Sequence, residues 1–189
     1  MKFKRYLALA VCIVSMLACA GCDAKNTENV ENTPQNEIDT MLDSMTLEEK
    51  TAQLFIVQPE AIVDTGIVVQ AGDVTKQAID ATPVGGFIYF SDNLQSPEQT
   101  QEMLKNVQDY SMERTGLPAF LSVDEEGGTV ARIANNENFD VPQVGNMADI
   151  GASGDIDAAR DVGDTIGGYL AELGFNLDFA PVADVLSNP

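Results

Sequence analysis

Ala119-Phe-Leu-Ser-Val123, closed at once by Asp124-Glu-Glu126 and Gly127-Gly128, is the stretch on which the fold reading turns. An apolar or small run with no polar alternation describes a strand buried on both faces, the kind found in parallel sheets. The carboxylates and glycines that follow fall at its C-terminal end, the edge at which α/β barrels build their sites. If extended geometry persists through the run, Asp124 and Glu126 point to one side and Glu125 to the other.

Working outward, Gly85-Gly-Phe-Ile-Tyr-Phe90 is a second buried strand, closed by Ser91-Asp-Asn93. Between the two, Ser96 as N-cap, Pro97 at the first helical position and Gln99 predict a helix with an apolar stripe of Met103, Leu104, Val107 and Tyr110, ended by Gly116. Upstream, Thr46-Leu-Glu-Glu49 is a capping box opening a helix. That helix runs into Leu54-Phe-Ile-Val57, a strand or a helix end beside one. Val74 to Ala81 is a short helix before Pro83. Downstream, 135–151 lacks periodicity and reads as a long loop. Asp155 to Leu173 is a helix with Ile156, Ala159, Val162, Ile166, Tyr169 and Leu173 on one side, stopped by Gly174. Leu177-Asp-Phe-Ala180 follows as a strand. Strands alternating with helices imply βαβ units and a parallel sheet. This pattern alone leaves a doubly wound sheet and a barrel both open, and no glycine-rich phosphate loop is present.

Length and composition narrow the function classes. A chain of 189 residues holds one ordinary domain. Its net charge of −20 argues against nucleic acid or anionic lipid as a partner. Histidine is absent, which removes the usual general base and the commonest metal ligand. The three cysteines, Cys12, Cys19 and Cys22, lie near the N-terminus, so neither a disulfide nor a thiolate metal site is expected in the domain; no metal or cofactor is expected.

Lys2, Lys4 and Arg5 precede an apolar stretch from Leu7 to Ala20, and Ala20-Gly21 precede Cys22. We read 1–21 as a lipoprotein signal peptide and Cys22 as the lipidated residue, with Cys19 the second choice and a plain signal or uncleaved anchor the alternative. Residues 22–36, rich in Asn, Glu, Thr and Gln, read as a polar tether, and 37–189 as the domain. The expected location is the outer face of the bacterial cytoplasmic membrane, held there by the lipid.

Several side chains could carry chemistry. Asp124 and Glu126 share a side but sit too close together for a glycosidase acid/base pair, whose groups flank a sugar at roughly 5 Å or more. One carboxylate gripping sugar hydroxyls is the better functional reading; a solvated charge run competes with it. Arg132, inside the apolar Val130-Ala-Arg-Ile133, is either paired with a carboxylate or offered to a polar ligand. An Asp and an Arg converging on a polyol would hold it by charge-assisted hydrogen bonds. Asp178 and Asp184 lie at and just past another strand end, facing the same rim, and Asp178 reads best as an acceptor for loop amides.

Val123-Asp-Glu-Glu-Gly-Gly-Thr-Val-Ala-Arg132 resembles glycoside hydrolase family 3, the β-N-acetylhexosaminidase branch in particular. Three more segments agree in order: Thr46-Leu-Glu-Glu-Lys50 with Gln53-Leu-Phe55, Val84-Gly-Gly-Phe-Ile-Tyr-Phe90 with Asn93, and Gly174-Phe-Asn-Leu-Asp-Phe-Ala-Pro-Val-Ala-Asp184. The resemblance implies the N-terminal half of a (β/α)8 TIM-type barrel, incomplete in this chain, with a rim that binds a terminal non-reducing sugar. It implies that Asp124 grips sugar hydroxyls with Arg132 assisting, and that the partner is a glycan ending in β-linked N-acetylglucosamine. Glu125 and Thr129 depart from the Gln and Arg common in the family. The family's second sugar-binding Arg, its Lys-His segment, its Asp-His acid/base pair and its Asp nucleophile are expected beyond Pro189, so no catalytic residue is assigned here. The whole enzyme would be retaining, and this chain alone is expected to be inactive. The alternatives are a β-glucosidase of the same family, a non-catalytic surface sugar-binding lipoprotein, and a doubly wound solute-binding lipoprotein.

Overall fold

The computed structural model describes residues 34–184; the signal peptide, Cys22 and most of the tether lie outside the described residues. A first unit runs to Asp43 and holds most of helix α1 (Pro34–Ser44). The last three residues of the expected tether thus form the first turn of a helix. Pro34 suits a first helical position, and Gln35 donates to Asp39 (2.9 Å) while the Thr40 hydroxyl donates to the Asn36 carbonyl (2.7 Å). The second unit begins at Ser44, where the sequence suggested a boundary at 37.

Within the second unit, helix α2 (Leu47–Ala52) opens with the expected capping box: the Thr46 hydroxyl accepts from the Glu49 amide and the Glu49 carboxylate accepts from the Thr46 amide. Strand β1 (Ile56–Val57) is shorter than the apolar run that suggested it, because Leu54 and Phe55 still close the end of α2. Helix α3 (Asp73–Ala81), strand β2 (Gly86–Tyr89), helix α4 (Pro97–Thr115) and strand β3 (Phe120–Val123) follow. Ser96 caps α4 by accepting from the Gln99 amide, and Gly116 ends it in the left-handed conformation (φ 72°) that a side chain would resist.

After β3 the chain makes a hairpin of strands β4 (Glu125–Gly127) and β5 (Val130–Ala131), which the sequence reading did not foresee. Part of the expected loop is helical: α5 (Met147–Ser153) lies in it. It carries little sequence signal because Asn146 makes no side-chain cap and none of its residues is buried. Helix α6 (Ile156–Leu173), capped by the Asp155 carboxylate, and strand β6 (Leu177–Asp178) complete the described elements.

Strands β1, β2, β3 and β6 form one parallel sheet, adjacent in chain order. Right-handed crossovers that always advance in the same direction place every helix on the same face of the sheet. That is the winding of a barrel; a doubly wound sheet reverses direction and puts helices on both faces, so that rival is excluded. The register aligns Val57, Phe87 and Leu121, then Tyr89 and Val123, along the helix-facing side. These residues form the core with Ile79, Met103, Leu104, Val107, Ile166, Leu170 and Phe175, each side chain contributing on the order of 1.5–3 kcal/mol by leaving water. Tyr89 meets Phe175 edge to face, ring centroids 6.1 Å apart. The opposite side carries Gly86, Ile88, Phe120 and Ser122. Gly86 is required there: a β-carbon would meet the Phe120 β-carbon at 2.7 Å.

Candidate functional site

The end of β3 sends neighbouring carboxylates apart, as strand alternation requires. Asp124 turns to the rim. Its Oδ2 accepts from Arg132 Nη2 at 3.1 Å, and its carbonyl accepts from the Arg132 amide at 3.3 Å. The two side chains stay 20% and 29% exposed, so the pair is reachable from outside. The Arg132 guanidinium lies over the Phe90 ring, 5.3 Å from its centroid, at the end of the neighbouring strand β2. Stacking on an aromatic face fixes the plane of the guanidinium without consuming a donor. The Arg132 Nε is buried with no hydrogen-bond partner.

Glu125 goes the other way and is fully buried. Its Oε2 accepts from the Ile133 amide (2.8 Å); its Oε1 accepts from the Ala134 amide (2.9 Å) and the Tyr169 hydroxyl (2.8 Å). Burial and the Glu125 carboxylate hold the Tyr169 phenol well above its usual range, so it remains a donor. The Glu125 amide in turn donates to Asp178 Oδ1 at 2.9 Å. Asp178 is thus an acceptor for a loop amide, as its setting in an apolar run suggested. Its pKa is pushed up to about 6, by burial first and by the nearby carboxylates of Glu125, Asp124 and Glu126, against the lowering effect of the amide it binds.

The glycines after the carboxylates shape this turn. Gly127 (φ 83°) and Gly128 (φ 59°) lie in the left-handed region, and a β-carbon on Gly127 would come within 2.9 Å of the Gly145 carbonyl. A side chain on Gly128 would collide with that of Asn146. Beside the hairpin lies a cavity of about 450 Å³ bordered by Glu126, Thr129, Met147 and Asp184. Asp184 therefore reaches the rim near Glu126, away from the Asp178–Glu125 contact.

Sequence reasoning brought Asp124 and Arg132 forward, and the structure pairs them. It missed the stacking platform Phe90, and it missed that Glu125 and Tyr169 meet. Tyr169 was placed on the buried side of its helix, but nothing in the spacing says which strand end that side meets. No group of three or more potential metal-ligating side chains is assembled among the described residues.

A family model described as the glycosyl hydrolase family 3 N terminal domain matches residues 46–189. "Beta-hexosaminidase A" of Pseudoalteromonas piscicida is 39% identical over 119 residues, covering 60% of this chain and 19% of that protein. Among solved structures, a glycoside hydrolase family 3 β-N-acetylglucosaminidase from Paenibacillus sp. str. FPU-7 superposes with TM-score 0.61 and 35% identity, over 73% of this chain and 24% of that one. NagZ from Neisseria gonorrhoeae, solved in complex with N-trifluoroacetyl-D-glucosamine, superposes with TM-score 0.50 and 25% identity, over 61% of this chain and 34% of that one. The chain spans between about a fifth and a third of the length of the first curated relatives it matches. With the barrel winding and the acidic-glycine hairpin at the end of β3, these matches show that the chain belongs to glycosyl hydrolase family 3, through that family's N-terminal barrel domain.

Proposed function

We propose that Asp124 and Arg132 grip the hydroxyls of a terminal, non-reducing N-acetylglucosamine, as part of a retaining β-N-acetylhexosaminidase acting on β-linked glycans. The single observation that carries the reading is the reachable Asp124–Arg132 pair on the rim, stacked on Phe90. Asp124 can accept from two vicinal hydroxyls, while the guanidinium, already oriented, donates to sugar oxygens. Relatives named beta-hexosaminidase and the glucosamine derivative bound by a structural neighbour support this choice of sugar. Binding, not bond cleavage, is the step that these residues can perform: 1–189 contain no histidine to serve the family's acid/base pair.

The same reading places the protein outside the cell, anchored at the outer face of the cytoplasmic membrane by lipid on Cys22. The cationic start, the apolar stretch and Ala20-Gly21-Cys22 support it. Two measurements test the proposal. Purified residues 22–189 should release no chromophore from an aryl N-acetyl-β-glucosaminide, and turnover would sink the binding-only assignment. Metabolic labelling with a fatty acid should mark the full chain and fail on Cys22→Ser; unchanged labelling would remove Cys22 as the anchor.

A further inference from the structure

Glu125 has no part in gripping sugar, being fully buried, yet it is tied to the residue after Arg132 and to the one after that. All three of its partners are donors: the Ile133 amide, the Ala134 amide and the Tyr169 hydroxyl. A carboxylate offers only acceptors and satisfies all three at once. An amide side chain could not. With its oxygen facing Ala134 and Tyr169, its NH2 would meet the Ile133 N–H; with the amide turned over, its NH2 would meet the Ala134 N–H. Either way one buried backbone donor next to Arg132 loses its acceptor, a loss buried groups tolerate poorly.

We propose that Glu125 is the positioning residue of the sugar-gripping pair: its carboxylate clamps the Ile133 and Ala134 amides, and so fixes the backbone from which Arg132 reaches Asp124 and Phe90. The chain of contacts is continuous. Tyr169 of α6 holds Glu125, Glu125 holds the segment after β5, and that segment presents Arg132 to the rim. Asp178 at the end of β6 holds the Glu125 amide from the other side. Three elements of the barrel wall thereby set the angle of one guanidinium. The requirement for a carboxylate accounts for Glu at this position, where Gln would leave the clamp incomplete.

This inference rests on the sugar-binding reading only for its functional consequence, so two readouts are needed. The first is free of sugar: the Arg132 Nε–H signal in a 15N-resolved proton NMR spectrum of the full chain. Glu125→Gln should shift or broaden it while the Lys105 and Arg160 regions stay unchanged; an unmoved Arg132 signal in a folded Glu125→Gln protein overturns the proposal. The second is N-acetylglucosamine titration. Glu125→Gln should weaken binding about threefold to tenfold in the parent chain and by much less when combined with Arg132→Lys. Equal weakening in both backgrounds would show that Glu125 acts elsewhere and overturns it as well. If the parent chain binds no sugar, the function proposed above falls, while the NMR comparison still decides the role of Glu125. Should Glu125→Gln fail to fold, Tyr169→Phe removes one donor from the same carboxylate, and the same Arg132 shift is expected, in smaller measure.

Discussion

The rim side and the helix side of the end of β3 are built from adjacent residues and obey opposite rules. On the rim, Asp124 and Arg132 spend one oxygen and one nitrogen on each other, lean on Phe90, and keep part of their surface in water. On the helix side, Glu125 is buried, with both oxygens committed to named donors, and Asp178 and Tyr169 complete its shell. A site that must exchange partners keeps polar capacity in reserve; one that must hold a shape uses all of it. The difference also assigns the energetics. Substitutions on the helix side should act on stability and through it on the site, whereas substitutions on the rim should act on binding and leave the fold nearly untouched.

The largest effect is expected at Glu125. Glu125→Leu strips acceptors from two buried amides and a phenol, and should cost about 3–5 kcal/mol in a urea melt. A loss below 1 kcal/mol would mean that the helix side is not the rigid partner in this comparison. Next, Arg132→Ala should reduce N-acetylglucosamine affinity about tenfold to a hundredfold, while an exposed salt bridge of this kind contributes about 0–1 kcal/mol to the fold. A large stability loss with unchanged affinity would exchange the roles of the two sides. Tyr169→Phe sits between them and should cost about 1–2 kcal/mol by removing one hydrogen bond to a buried carboxylate.

The smallest effect concerns pH. Asp178 has a folded-state pKa near 6, above the ordinary value of 3.8. The folded state therefore binds this proton more tightly than the unfolded chain does. Stability from this group is present below about pH 4 and is lost as pH rises through about 6. Asp178→Asn keeps an oxygen for the Glu125 amide and removes the titration. Compared with the parent chain, the variant should gain melting temperature on going from pH 4.5 to pH 7; a relative loss would contradict the sign.

Much of the architecture was readable because capping and termination chemistry is local. Thr46 with Glu49, Ser96 with Pro97, and Gly116 and Gly174 each mark a helix boundary through their own backbone and side-chain chemistry. The buried runs ending at Tyr89 and Val123 marked strands for the same reason. The alternation rule also sent Asp124 and Glu125 to opposite sides before any contact was known. What the sequence withheld was pairing at a distance. The β4–β5 hairpin forms around two positive-φ glycines with only short strands on either side, too few residues for a periodic signal. Helix α5 has no side-chain cap and an incomplete apolar stripe. Barrel and doubly wound sheets share the same local pattern and differ only in the order of strands, which the sheet itself supplies. Tyr169 lies 44 residues from Glu125, and Phe90 lies on a different strand from Arg132.

The central claim, that the Asp124–Arg132 pair holds a sugar, is tested most directly by titrating N-acetylglucosamine into the full chain and into Asp124→Asn, followed by isothermal calorimetry and the Arg132 Nε–H signal. The account predicts saturable binding that perturbs this signal and weakens at least tenfold in Asp124→Asn. Binding of equal strength in both proteins, or none in the parent chain, would contradict it.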